Sequence, residues 1–249
     1  MTLPANLAPH PTLHHYYGNR VEKREFVNRV FDRAAHDYDR VENMMALGTG
    51  RWYRRQALIR AGLKSGMRVL DVAVGTGLVA REEIRIVGDP MLVVGLDPSL
   101  AMMRQATASL GIRSILGVGE QLPLADAQFD FVSMGYALRH LSDMRATFAQ
   151  FHRVLRPGGT VCILEISRPQ TAVRRSLLRA YMRYVVPALS RLTTRGGDSR
   201  LLWQYYWDTI EACVPCETVI KCLHNCGLIN VSHQIKHGIF SEYTAMRPM

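Results

Sequence analysis

The sequence predicts an α/β fold built on a doubly wound, mostly parallel sheet, and three observations predict it. From Met67 onward short β-rich runs alternate with helical stretches, several of the runs are almost continuously apolar, and the first of them enters a glycine-rich turn that opens a helix. Parallel strands covered on both faces read as unbroken runs of Val, Ile and Leu, and each needs a crossover segment to reach the next. Of the 249 residues, 48% are hydrophobic and 21% charged, an ordinary balance for a globular protein large enough to bury one substantial core.

Residues 1–20 carry prolines and histidines without a basic region, apolar core and cleavage pattern, so they are expected to form a flexible arm rather than a secretory signal, with His14 and His15 solvated. Residues 22–62 read as helical, with Phe26, Val30 and Phe31 on one side and charges on the other. Five strands are expected in MRVLDVA, MLVVGLD, IRSILGV, FDFVSMG and TVCILEI, separated by helical segments such as PSLAMMRQATASL and DMRATFAQFHRVLR. Asp143 is expected to cap the second of these. After Ile166 the alternation stops: residues 168–212 read as mostly helical, and GLINVSHQIK and GIFSEYTAM return as two strands joined at Gly238. Residues 21–249 are read as a single domain. Its helical insertion is either a lid over the crevice at the strands' carboxyl ends or extra packing on the outside.

Thirty-one Lys and Arg against 21 Asp and Glu give a formal charge of +10, which suits a polyanion, an anionic membrane surface or an acidic substrate and selects none of them. No apolar run approaches the roughly 20 residues that a membrane span requires. Five cysteines without a signal pattern imply reduced thiols in a cytoplasmic protein. Four of them, Cys213, Cys216, Cys222 and Cys226, follow C-x2-C-x5-C-x3-C, whose first pair resembles a zinc knuckle. The pairs stand too close for the usual zinc-finger loop. The stretch also reads as a helix entered after Pro215, with Val219, Ile220 and Leu223 as its apolar stripe, so no metal site is expected.

The stretch VLDVAVGTGLVARE, residues 69–82, raises the question of ligand. Gly75, Gly77 and Ala80 satisfy the spacing of the dinucleotide fingerprint, and Asp97 follows Gly77 by twenty residues. Two features point away from a dinucleotide. Asp71, four residues before Gly75, can hydrogen-bond the amide that the turn exposes and attract a ligand ammonium group, which dinucleotides lack. S-adenosyl-L-methionine carries both an ammonium and a sulfonium. Asp97, ending the second strand, can accept both hydroxyls of a ribose.

The ordered set VLDVAVGTG, GLDPS, EQLPLADAQFDFV and HRVLRPGG resembles class I S-adenosylmethionine-dependent methyltransferases. VFDRAAHDYDRVENMMALGTGRWYR, YALRHLSD and LEISRP resemble, more narrowly, the ubiquinone/menaquinone (UbiE-type) C-methyltransferase family, over residues 30–170 closely and the C-terminal third loosely. The resemblance implies a Rossmann-like sheet of seven strands with N-terminal helices, and S-adenosyl-L-methionine as cofactor. It implies that Asp71, Gly75, Thr76 and Gly77 hold the cofactor's amino-acid end and that Asp97 and Pro98 take its ribose. Val118, Gly119 and Glu120 would face the adenine, with Val118 where the family has Asp or Asn, and Gly135 would border the cofactor. Tyr38 would close over it or, more plainly, pack its helix on the sheet.

The implied acceptor is an aromatic, quinol-like or prenylated small molecule methylated on carbon or oxygen. In GYALRHLSD, Arg139 can stabilise an oxyanion and His140, standing where the family has Asn, can accept a proton. An Arg-His pair on a loop can equally be plain surface. Tyr136 and Met134 would wall a flat ring, and Trp203, Tyr205, Tyr206 and Trp207 could line the acceptor pocket or serve the core. Residues 172–195 hold six arginines and no acid, so the helix they form either lies on an anionic bilayer, in one reading the inner membrane, or is a solvated lid. The rival readings are a nucleic-acid methyltransferase, against which no Asp/Asn-Pro-Pro-Tyr motif stands at the fourth strand, an NAD-binding oxidoreductase, and a non-catalytic cofactor-binding partner. No nucleic-acid partner is expected, and a homodimer is left open.

Overall fold

The computed structural model describes residues 6–45, 48–169, 171–188 and 199–249. Seven strands, β1 Val69–Val72, β2 Val93–Asp97, β3 Arg113–Leu116, β4 Phe129–Gly135, β5 Leu155–Ile166, β6 Ile229–Lys236 and β7 Phe240–Met246, form one sheet in the order β3-β2-β1-β4-β5-β7-β6. All neighbours are parallel except β7, which runs antiparallel to both β5 and β6. The doubly wound sheet is the one that the sequence predicts. β5 is longer than expected, because Leu155 already pairs with Phe129; the Pro-Gly-Gly segment then bulges, with Gly158 at φ 76°, before Thr160 pairs with Phe131.

Eight helices are described: α1 Arg20–Met45, α2 Gly50–Arg60, α3 Ala80–Val87, α4 Leu100–Leu110, α5 Met144–Val154, α6 Ala172–Ala180, α7 Ser199–Ala212 and α8 Cys216–Asn225. The helical stretch expected over 22–62 is divided between α1 and α2, and Gly48 (φ 75°) takes the left-handed conformation that ends a helix. α6 runs on through a π turn at Tyr181–Val185. Asp143 caps α5 as expected, accepting from the amides of Arg145 and Ala146.

Strand alternation divides the core by face. Leu70, Val72, Val132, Met134, Val161 and Ile163 pack with α5 and α8 on one side, where Cys222 is buried beside Val219 and Leu223. Val69, Val93, Phe131, Cys162 and Leu164 pack with α2, α3 and α4 on the other. A third cluster joins Phe26 and Val30 of α1 to Met182, Val186, Trp203, Tyr205, Tyr206 and Trp207.

The arm differs from its expectation. Residues 6–18 are laid along the body: Leu7 N–H donates to Asp143 (3.2 Å), Met144 N–H to the Leu7 carbonyl (2.8 Å) and Val214 N–H to the Pro9 carbonyl (2.8 Å). His10 and Tyr17 are buried. Its tyrosines anchor it, since Tyr17 packs within the third cluster and Tyr16 against its edge. Residues 1–5 of the arm and 189–198 of the helical insertion lie outside the described residues.

β1 pairs with β2 on one side and β4 on the other. The winding therefore reverses between β1 and β4, and an open sheet binds ligands at the carboxyl ends of such a pair. Two non-glycine residues there take the left-handed conformation, Ala73 (φ 61°) after β1 and Tyr136 (φ 60°) after β4. Backbone held this way is costly and marks sites that the surroundings over-determine.

Candidate active site

The turn after β1 is shaped by its glycines. Gly77 takes a left-handed φ of 90° that strains any L side chain, and a Cβ there would also stand 2.4 Å from Leu110 Cδ1 of α4. Gly75 (φ 56°) opens the other way, with nothing within 4 Å of where its Cβ would be. Asp97, at the end of β2, accepts from Gly75 N–H through Oδ2 and from Ser99 N–H through Oδ1, both at 2.8 Å. Burial pushes its carboxyl up to about 6, and the two amides oppose that rise.

α1 lies across this edge. Thr76 donates to the Asp39 carboxylate, and the Ser99 hydroxyl, which accepts from Met102 N–H to cap α4, donates to Asp32. Asp32, Asp39 and Glu42 share a helical face by their spacing of seven and three, a signal present in the sequence that nothing there assigned to a role.

A cavity of about 640 Å³ opens where these elements meet, within the usual range for a small-ligand site. On the β1 and β2 side it is lined by Gly75, Thr76, Asp97, Pro98 and Met102, with Tyr38 from α1. On the β4, β5 and β7 side it is lined by Gly135, Tyr136, His140, Ile166 and Phe240, with Trp52, Tyr53 and Arg54 from α2. Leu178, Tyr181, Met182, Trp203 and Tyr206 of the helical insertion complete it, so this insertion covers the crevice. The residues fit S-adenosyl-L-methionine: an open glycine turn, a buried carboxylate with lone pairs left for two hydroxyls, and an apolar wall that includes Val74, Val79 and Met102. Tyr38 Oη meets Tyr206 Oη at 2.8 Å and joins α1 to α7.

Several expected site residues stand elsewhere. Val118, Gly119 and Glu120 do not reach the cavity. Val118 pairs with Gln121, a Cβ on Gly119 would press on Val72 and Thr147 at 3.2 Å, and Glu120 accepts from the amides of Ser142 (2.7 Å) and Asp143 (3.3 Å). Asp71 is 1% exposed behind the turn, and neither of its oxygens has a hydrogen-bond partner among the described residues. Burial, and then the charge of Glu83, drives its carboxyl well above the usual range, and the side chain does not line the cavity. Glu83, also fully buried without partners, is pushed up to about 7 by burial. Met134 is in the core rather than the wall.

Arg139 and His140 are separated by their orientation. Arg139 is wholly buried, ion-paired to Glu165, and its guanidinium lies 4.2 Å from the centre of the Tyr206 ring, so it supports the wall without entering the cavity. His140 lines the cavity with Nδ1 3.3 Å from Tyr205 Oη and Nε2 without a partner among the described residues. Burial, and then the positive charges of Arg139 and Lys23, hold its pKa well below the ordinary imidazole value, so the ring is neutral. Sequence reasoning missed Arg54 and Glu42, a buried ion pair that also lines the cavity.

A model of the ubiE/COQ5 methyltransferase family matches residues 19–247. The chain is 30% identical over 230 residues to the ubiquinone/menaquinone biosynthesis C-methyltransferase UbiE of Coxiella burnetii, covering 89% of this chain and 91% of that one. It is 31% identical over 219 residues to the protein of the same description from Shewanella halifaxensis, covering 85% and 86%. Its fold is similar to that of a Thermotoga maritima S-adenosylmethionine-dependent methyltransferase (TM-score 0.62, 19% identity, 88% of this chain and 98% of that one). It is also similar to that of Haemonchus contortus phosphoethanolamine N-methyltransferase 2 in complex with S-adenosyl-L-methionine (TM-score 0.64, 16% identity, 91% and 60%).

Asp97→Asn turns an NH2 donor toward one of two amide donors and is expected to weaken S-adenosylmethionine binding about 10- to 100-fold by calorimetry. In the unsubstituted protein the same affinity falls as pH drops below about 6, where Asp97 takes up its proton. Glu83 has a folded pKa of about 7 against an ordinary 4.5, so folding takes up a proton between these values and stability rises as pH falls through 7. Glu83→Gln therefore stabilises at pH 8.5 by about 1–3 kcal/mol in urea denaturation, and the gain shrinks toward pH 5.5.

Proposed function

The chain belongs to the ubiE/COQ5 methyltransferase family, and from that premise we propose that it moves a methyl group from S-adenosyl-L-methionine to a ring carbon of an aromatic quinol. The carrying observation is that the glycine turn and Asp97 share one aromatic-walled cavity with a neutral histidine whose Nε2 is unpartnered. The description of the UbiE relatives as ubiquinone/menaquinone C-methyltransferases supports both the acceptor class and methylation at carbon.

When bound, the donor supplies an electrophilic methyl group on a sulfonium. The chain's own part is to place a nucleophilic carbon in line with it and to take a proton away. Neutral His140 accepts the proton of an acceptor hydroxyl at Nε2, which raises electron density at the neighbouring ring carbons. Tyr205 holds the imidazole through Nδ1 and lies nearly parallel to it, with an interplanar angle of 27°. The net exchange is one methyl gained and one proton lost by the ring. Arg139 acts through Tyr206, which it holds against the cavity.

No described helix is long and apolar enough to cross a membrane. We read the surface of α6 as a peripheral contact with the cytoplasmic face of an anionic bilayer. Val173, Leu177 and Tyr184 point to solvent at 71%, 66% and 69% exposure, Arg174, Arg175, Arg179 and Arg183 flank them, and residues 172–188 contain no acid. Leu178, Tyr181 and Met182 of the same segment line the cavity, which gives a prenylated acceptor a short path from lipid to site.

With methyl-labelled donor and a hydroquinone acceptor, mass spectrometry is expected to find the label on a ring carbon. His140→Ala should lower kcat by about 10²–10⁴-fold with donor affinity unchanged. The unsubstituted enzyme should show no inflection near pH 6.5, the ordinary imidazole value, because His140 is already neutral there. Label on no hydroxyaromatic, or full turnover without the imidazole, removes the reading. For the surface, co-sedimentation with phosphatidylglycerol vesicles should exceed that with phosphatidylcholine, weaken with salt, and drop about tenfold in Leu177→Glu; equal sedimentation with both lipids would exclude it.

A further inference from the structure

We infer that the buried pair of Arg54 and Glu42 is the binding site for one oxygen of the acceptor, and that it selects a hydroxyl there over a carbonyl or an ether. The inference rests on the quinol reading above and deepens it. Glu42 comes from the last turn of α1 and Arg54 from the second turn of α2. Arg54 Nη2 is bonded to Glu42 Oε1, Arg54 is 2% exposed, and both residues line the cavity.

The pair is only half satisfied. Arg54 Nε and Nη1 and Glu42 Oε2 have no hydrogen-bond partner among the described residues. A strap between α1 and α2 would need no more than the Nη2 and Oε1 contact. Buried polar groups in native proteins are nearly always paired, and those left over at a cavity wall are paired by what enters it. The neighbouring side chains do not complete the pair: Trp52, Tyr53, Ile239 and Phe240 line this side, the Tyr53 hydroxyl has itself no partner among the described residues, and the Tyr136 ring stands 5.7 Å from the guanidinium.

Unused donors next to an unused acceptor match a hydroxyl, whose oxygen accepts from Arg54 while its proton is donated to Glu42. A carbonyl or an ether oxygen takes the first bond and leaves Glu42 Oε2 bare. A carboxylate or phosphate meets the Glu42 charge. The pair is neutral as a whole, so it reads a neutral group. A quinol carries two ring hydroxyls, one for this pair and one for His140, and its oxidised form carries none.

Calorimetry tests this on the full chain, held anaerobically with S-adenosylhomocysteine so that no turnover occurs, using naphthohydroquinone and its dimethyl ether. The unsubstituted protein should prefer the diol by more than about tenfold, since sites built around a hydroxyl reject analogues lacking it. Glu42→Gln offers an NH2 that an ether also accepts, and the preference should fall about tenfold. Because stripping one partner from a buried pair endangers folding, the double variant Glu42→Gln/Arg54→Met, which buries no charge, is measured beside it. It should lower the preference by at least about tenfold, leaving only what the hydroxyl at His140 contributes, while S-adenosylhomocysteine affinity holds. An unchanged preference in both variants, or equal binding of diol and ether by the unsubstituted protein, overturns the inference and leaves the methyl-transfer reading standing. Failure of the unsubstituted protein to bind the diol overturns the quinol acceptor and this inference with it.

Discussion

Asp97 has to satisfy two backbone amides at once, from Gly75 in the turn after β1 and from Ser99 at the entry to α4, and the shape of the cradle follows from that double demand. Parallel pairing sets Val72 opposite Leu96, so the carboxylate one residue further on faces the turn that leaves β1. With its amide taken, Ser99 turns its hydroxyl to cap α4 and to meet Asp32 of α1. Each bond to an ionised carboxylate contributes about 1.5–3 kcal/mol. Desolvation works against them, and the elevated pKa of Asp97 records the remaining balance. A carboxylate held this way is already oriented before a ribose arrives, so binding orders little that was loose.

The other buried charges sort by what surrounds them. Arg139 and Glu165 are paired in the core outside the cavity; Arg139 Nε and Nη2 have no hydrogen-bond partner among the described residues, and the guanidinium is met instead by the aromatic face of Tyr206, so this pair supports the wall. No counter-charge opposes the burial of Asp71 and Glu83, and burial raises both carboxyls above their ordinary range. Arg54 and Glu42 lie between these cases. They are paired through one contact and leave three polar atoms unused, each costing about 1–3 kcal/mol while unmet. Stability alone would favour apolar replacements. Their place in the cavity wall gives the cost a use.

The strands, the glycine turn and Asp97 were legible because each is fixed by local sterics or periodicity: apolar runs need two covered faces, Gly77 needs to touch α4, and Asp97 ends a strand. Orientation across a single turn was not legible. Arg139 and His140 are adjacent in the short helical turn after β4, and one points into the core while the other points into the cavity, a choice made by Glu165 at the far end of the next strand, β5. The same limit misplaced Asp71, whose spacing from Gly75 is right while its side chain faces α3. Glu120 was misplaced because two loop amides claim it. The arm was misread because its tyrosines only gain meaning once α1 and α7 have made a cluster for them to join.

The insertion over the crevice changes its helical pitch once, at the π turn of Tyr181–Val185. α6 has no buried residue along its nine, and a helix that short does not hold itself in water. It is tied at one end by the Thr171 cap, at its side by Arg175 to Glu211, and beyond its last residue by the π turn. The wider turn carries the inner face round by about one residue. After Leu178 and Met182 the next side chain sealed inside is therefore Val186, fully buried, while Val185 stays 43% exposed. The segment thus fills the aromatic cluster without drawing Leu177 and Tyr184 inward. Core packing accounts for the inner face alone. An outer face of apolar side chains among arginines is left over from that packing, and it is the surface that the proposed bilayer contact would use.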